Sequence, residues 1–221
     1  MNIHNELYRK YQNKVIGISE LLKALEQGFI TAESFEAITQ DVPDYTLEEA
    51  AYFKRKELSY LCSKNITQGV DVELSDGNTH HFSLSDSDQR NLTTKMLNIA
   101  MGMTELEYHS DGDPCRYYST EDMACICMMA QNKVTVETTY YNCLCQWIKG
   151  CTTPQDIMAI QYGVEIPEAY WSEPWRNIVM QSTQNPGVEI SDESVENTVT
   201  ENEQPVKEDS TGSEEKTEED K

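Results

Sequence analysis

Zinc ligation or nucleophilic attack would have to be built from His80, His81, His109 and Cys115, or from the cysteine pairs Cys125/Cys127 and Cys143/Cys145. A tetrahedral zinc site takes imidazole nitrogens and thiolates of this kind. His80, His109 and Cys115 would converge if the two segments carrying them lay side by side. The chain has neither a CxxC knuckle nor an HExxH run, however, and strand alternation turns His81 away from His80. These residues read as polar positions of a half-exposed sheet. Residues two apart on a helix do not face each other, so neither cysteine pair can chelate one ion, and cysteine is a common small core residue. A Cys/His nucleophile lacks a third group to orient its base. No catalytic residue, metal or cofactor follows from these spacings, and the expected class is non-enzymatic.

The histidines and Cys115 belong to a stretch, residues 69–118, that reads as a strand pair, a capped helix and a second strand pair. Each strand pair turns on an Asp-Gly, at Asp76-Gly77 and Asp111-Gly112, a strong hairpin signal. In the first pair, Val70, Val72 and Leu74 share one strand face; His80, Phe82 and Leu84 share one face of the return strand. Directly opposite residues must share a face of the sheet. That predicts an odd loop, Asp76–Asn78 with one residue in the left-handed region, pairing Val72 with Phe82 and Val70 with Leu84. In the second pair, a two-residue Asp111-Gly112 loop matches Tyr108 with Cys115, Leu106 with Tyr117 and Glu107 with Arg116, which predicts a type I′ turn. Between the hairpins, Asp86 or Ser87 is expected to cap a helix bearing Leu92, Met96, Ile99 and Ala100. Asp88 and Gln89 then fall in its first turn, and Gln89 and Asn91 can reach the strand ends. Capping and strand-end bonding explain this run better than ligand contact.

The remaining elements are helical. Residues 1–43 read as a small helical module. Ile18, Leu21, Leu22 and Leu25 follow a helical stripe with Ser19 as its N-cap, and Thr31 opens a short second helix with Phe35 and Ile38 on its apolar face. Thr46 and Glu49 form a capping box for a helix to about residue 65, with Leu47, Ala50, Ala51, Leu58, Leu61 and Cys62 inward. Ser119 with Asp122 makes another box. It opens a long helix carrying Met123, Ile126, Cys127, Ala130, Val134, Tyr141, Leu144, Cys145 and Ile148, which the β-branched run 134–139 could interrupt. Thr153 and Pro154 start a last short helix with Ile157 and Ile160 inward. Residues 164–182 form an aromatic-rich extension, either packed across the domain or offered to a partner.

The chain has 221 residues and a formal charge of −22. Such acidity excludes a general affinity for nucleic acid or anionic membranes, which need a basic face. An acidic DNA mimic fits the charge alone, but much of that charge lies beyond residue 183. There Glu, Asp, Ser and Thr dominate, and residues 183–221 are expected to be a disordered acidic tail. No secretory signal or membrane span is visible, so the seven cysteines read as reduced thiols in a cytoplasmic setting.

Asp88-Gln89-Arg90-Asn91-Leu92, set between the Asp76-Gly77 hairpin and Tyr108-His109-Ser110-Asp111-Gly112, resembles a phage domain of unknown function. In that family a helix, a hairpin, an AspGlnxAsnLeu helix entry, a second hairpin and further helices follow in order. The likeness spans residues 54–160 and includes the run 140–144. Residues 21–39, with Gly28-Phe29-Ile30-Thr31-Ala32-Glu33, are similar to the short XkdX-type phage tail proteins. Members of the first family accompany tail-fibre and baseplate proteins, and neither family carries an established active site.

The expected fold class is therefore α+β: two β-hairpins forming a small, four-stranded antiparallel sheet packed by several helices. An N-terminal helical hairpin occupies residues 1–43, the main domain 46–163, the aromatic extension 164–182 and the acidic tail 183–221. What the resemblance implies is a non-enzymatic structural or adapter protein of the phage tail tip, baseplate or tail fibre. It would act in the bacterial host cytoplasm during assembly and in the virion tail. The alternative is a fibre-assembly chaperone that leaves before maturation; a zinc-dependent enzyme is the remote one. The expected docking residues are Leu21, Leu22, Leu25, Phe29, Phe35 and Ile38, because the N-terminal stripe exceeds what a short hairpin buries alone, so a partner or self-association would complete it. Trp171 and Trp175 come second, as aromatic anchors.

Overall fold

The computed structural model describes residues 2–184. In chain order the elements are α1 (Ile3–Gln12), α2 (Ile18–Glu26), α3 (Ala32–Thr39), α4 (Leu47–Thr67), β1 (Val70–Glu73), β2 (Thr79–Phe82), α5 (Asp86–Ala100), β3 (Leu106–Tyr108), β4 (Arg116–Tyr118), α6 (Thr120–Gly150), α7 (Pro154–Met158) and α8 (Glu173–Gln184), with a 3₁₀ turn at Glu168–Tyr170. The α+β class holds. All the described residues lie in one compact unit.

The organising element is α6, 31 residues without a break. Its β-branched run does not interrupt it, because the flanking turns are anchored in two different cores. The first half carries Met123, Ile126 and Cys127 into a core shared with both hairpins, Leu92 of α5 and the end of α4. The second half carries Tyr140, Cys143, Leu144 and Ile148 into a core with Ala50 and Leu58 of α4, Ile157, Ile160 and Trp175. A helix that buries a face at both ends is held by packing, which overrides the modest cost of β-branched residues in its middle.

The hairpins differ from expectation in register. The four strands make two separate two-stranded ladders, not one four-stranded sheet. In the first, Val72 lies opposite His80 and Val70 opposite Phe82. The odd loop is there, but it comprises residues 75–77: Leu74 and Asn78 close the ladder, the Gly77 amide donates to the Leu74 carbonyl at 2.9 Å, and Gly77 itself has φ +75°. Placing the left-handed residue at glycine, where it costs least, shifts each pairing by two residues. The shift leaves the faces unchanged, so Val72, Leu74, Phe82 and Leu84 are all buried.

The second hairpin overturns the two-residue loop. Leu106 pairs with Tyr118, Glu107 with Tyr117 and Tyr108 with Arg116, so Tyr118 is buried while Tyr117 is 69% exposed. Gly112 has φ +82°, whereas Asp111 does not have positive φ, and the Asp113 amide donates to the Ser110 carbonyl at 3.1 Å. Positive φ at the third turn residue alone is the type II pattern, not type I′. Asp111 is drawn out of a tight hairpin because its amide donates to the His81 carbonyl at 2.9 Å, tying the second hairpin to the first.

Two helix caps lie one or two residues before the expected positions. Ser85, not Asp86 or Ser87, caps α5. Gly17, not Ser19, precedes α2, with its amide bonded to Glu20 Oε2 at 2.9 Å. Ser119 caps α6 as expected, but the Asp122 carboxylate does not complete a box. It accepts from the Ser75 amide (2.9 Å) and hydroxyl (2.8 Å) on the first hairpin. Thr46 with Glu49, Thr31 and Thr153 cap α4, α3 and α7 as predicted.

At the N-terminus, α1 adds a third helix that no stripe had announced. Tyr11 from α1 joins Leu21, Ala24, Ile30 and Ile38 in a closed cluster. On α4, Leu47 is exposed, while Lys54 and Ile66 join Ala50, Leu58 and Cys62 inside. Residues 164–182 pack across the domain: Trp175 is only 5% exposed, and Trp171 Nε1 donates to the Ile166 carbonyl at 2.6 Å. Residues 183 and 184 still belong to α8; the rest of the expected acidic tail lies outside the described residues.

Candidate functional site

The polar residues of the hairpins form a wiring centre where the end of α4 and both hairpins meet. His81 Nδ1 lies 2.7 Å from Asp71 Oδ1, and its Nε2 lies 2.7 Å from the Gln68 carbonyl at the end of α4. Asp111 Oδ2 is 3.8 Å from the same Nε2. Asp111 also accepts from the Ser83 amide at 3.2 Å and from the Ser83 hydroxyl. Both ring nitrogens of His81 face acceptors, so the imidazolium is the form they satisfy. The hydrogen bond to Asp71 is the main cause that raises its pKa, against some desolvation. Burial raises the Asp111 pKa, but the two Ser83 bonds outweigh it and leave the carboxyl below its usual range.

His80 turns the other way, as alternation requires, with Nε2 3.0 Å from Asp76 Oδ2 and Arg116 beyond. His109 is exposed and stacks on Tyr108 with ring centroids 5.4 Å apart; Cys115 is exposed as well. Among the described residues, no three of His, Cys, Asp or Glu gather as a metal would need. The hairpin polar groups therefore bind each other, and their geometry offers structural cross-links.

The Asp88–Leu92 run is equally structural. Asp88 Oδ2 accepts from the Ser85 amide at 3.0 Å, and Gln89 Nε2 donates to the Leu84 carbonyl at 2.9 Å. Leu92 is buried, and its carbonyl is 3.4 Å from Cys127 Sγ. Asn91 is exposed. The motif thus fixes the angle between β2, α5 and α6, and Asp88 and Gln89 do most of that work.

That angle leaves a groove of about 410 Å³ between α5 and α6, lined by Leu92, Met96, Cys127, Ala130 and Val134 with Asp86, Gln89 and Arg90 at its rim. Beside it stands an exposed apolar ridge. Leu97 and Met101, one helical turn apart, are 59% and 66% exposed, and Met96 and Met103 are also open. On α6, Met128 and Met129 are exposed too. Sequence reasoning missed this ridge. Met96, expected on the apolar stripe with Leu92 and Ile99, is exposed instead. Leu97 and Met101 lie off that stripe, where a helix with one buried face has no use for apolar residues, and that was the signal.

The residues expected to dock a partner are placed differently. Leu21 and Ile38 are fully buried in the N-terminal cluster, with Leu22, Leu25 and Phe35 half-buried; only Phe29 stands out in solvent. The missing surface is supplied by α1 and by α4 of the same chain. Trp175 is a core residue and Trp171 is half-buried, so neither is an open anchor. No helix among the described residues is long and apolar enough to cross a membrane. No family model, no curated protein and no solved structure matches this chain.

Proposed function

We propose that the chain is a non-enzymatic structural or adapter protein of a phage tail, working at the tail tip, baseplate or tail fibre by binding another tail protein. The single observation that carries a binding role is the Leu97/Met101 ridge beside the α5–α6 groove. Methionine side chains are flexible and polarisable, and surfaces rich in them adapt to a partner's shape. Side chains this open on a helix that already buries its other face have no internal role to explain them. The phage assignment rests on the Asp88–Leu92 motif and on the Gly28–Glu33 run. In this reading the motif builds the scaffold and the α5 ridge meets the partner.

The test is mass spectrometry of purified virions from a phage carrying the gene, with Leu97→Asp and Met101→Asp variants in parallel. The native chain should be present in the particle and each variant depleted at least about tenfold, as expected from replacing an apolar anchor by a charge. Absence of the native chain from the virion would sink the structural role and leave an assembly chaperone, released before maturation, as the reading that remains.

A further inference from the structure

This acidic chain has a cationic groove among its described residues. It runs between α2 and α4, with a volume of about 640 Å³, and is lined by Lys23, Arg55, Lys56, Ser59, Ser63 and Tyr141 among others. The two helices run in the same direction, with Glu20 paired to Lys56 and Glu26 to Lys64, both at 2.7 Å. Those pairs neutralise Lys56 and Lys64; Glu26 is also within electrostatic reach of Lys23, so Arg55 and a partly compensated Lys23 remain to meet a ligand. The Lys23 ammonium rests on the Tyr60 ring, 5.1 Å from its centroid, and Arg55 has no carboxylate within ion-pair distance among the described residues. Serine hydroxyls at 59 and 63 line the same groove.

We infer that this groove binds an extended, carboxylate-rich peptide segment of a partner protein. Arg55 would take one carboxylate, bidentate where the planar fork allows, and Lys23 another as a point charge. Ser59 and Ser63 would serve the peptide backbone as hydroxyl donors and acceptors. The shape favours a chain over a single small anion. Tyr52 to Ser63 spans about 17 Å of helix, the length of about five residues of extended peptide. Screening confines the repulsion from the protein's other carboxylates to about 8 Å at physiological salt, so a segment seated in the groove feels chiefly the charges that line it. This inference uses neither the phage resemblance nor the α5 ridge, so its failure and that of the tail reading are separate events.

The experiment measures anisotropy of fluorescein-labelled deca-glutamate titrated with the full chain at physiological salt. Saturable binding at one site is expected, weakened at least about tenfold by Arg55→Glu and by Lys23→Glu, with thermal midpoints unchanged. Lys149→Glu, the same charge change placed at the exposed end of α6, should leave binding as it is. Three results overturn the proposal: no binding of deca-glutamate, equal weakening by Lys149→Glu, or displacement by inorganic phosphate at matched phosphate and carboxylate concentrations. Preference for oligothymidylate over deca-glutamate would overturn it too, in favour of a nucleic-acid strand.

Discussion

His81 is the residue whose chemistry most directly reports on the fold. Its ring donates to Asp71 and to the Gln68 carbonyl at once, and this raises its pKa in the folded chain. A group whose folded pKa lies above its unfolded value adds stability that is complete below the unfolded value, about 6.5. That contribution is lost as pH rises through the folded pKa. Urea midpoints of native protein and His81→Ala should therefore differ most on the acid side of neutrality and converge in mild alkali. A difference independent of pH across that window would show that His81 acts through packing alone. At the same scale, buried Lys54 escaped notice because lysine reads as a surface residue. Its ammonium sits 2.9 Å from Glu57, whose carboxyl burial pushes above its usual range. No one-dimensional pattern distinguishes such a lysine from its exposed neighbours.

Among the elements, the first hairpin depends on how closely its strand start approaches its return. Gly69 has φ +90°, and a side chain there would place a Cβ 2.2 Å from the Phe82 carbonyl oxygen and 2.8 Å from Ser83 Cα. Gly77 also has positive φ, yet nothing stands within 4 Å of the same added atom. Gly69→Ala should thus cost at least about 2 kcal/mol, strain plus displaced backbone, against about 1 kcal/mol for Gly77→Ala. Urea denaturation of the two variants decides it, and equal costs would mean that β1 and β2 yield easily at that end. Phe82 shows what the hairpin must hold in place. Its ring lies 6.2 Å from both Tyr108 and Tyr118, so the two ladders are joined by aromatic packing and the Asp111 bonds, not by a shared sheet.

For the molecule as a whole, the question is whether residues 1–43 stand apart. Three ion pairs bind them to α4: Lys14–Glu49 at 2.8 Å, and Lys56–Glu20 and Lys64–Glu26 at 2.7 Å. Exposed pairs contribute little one by one, so the apolar cover of α4 matters more. Tyr11 of α1 approaches Glu57 and Tyr45 at that seam. Deleting residues 1–43 should lower the thermal midpoint and open the Lys54–Glu57 pair to water, because a buried charge that gains solvent no longer needs its partner. An unchanged midpoint would show an independent module. The apolar excess of Leu21, Leu22 and Leu25 is real in the sequence; α1 and α4 cover most of it, which a stripe cannot reveal.

By itself the sequence determined what local chemistry controls. Thr31, Thr46, Ser119 and Thr153 start helices because a hydroxyl satisfies free amides at that one place. Alternation chose which strand faces are buried, and both Asp-Gly pairs lie in turns. Only the tertiary structure decided the registers, since Gly77 and Asp111 answer to partners elsewhere in the chain. It also decided the division into two ladders and the burial of Trp175. Those outcomes depend on which surfaces meet, a property of distant residues that no window along the chain contains.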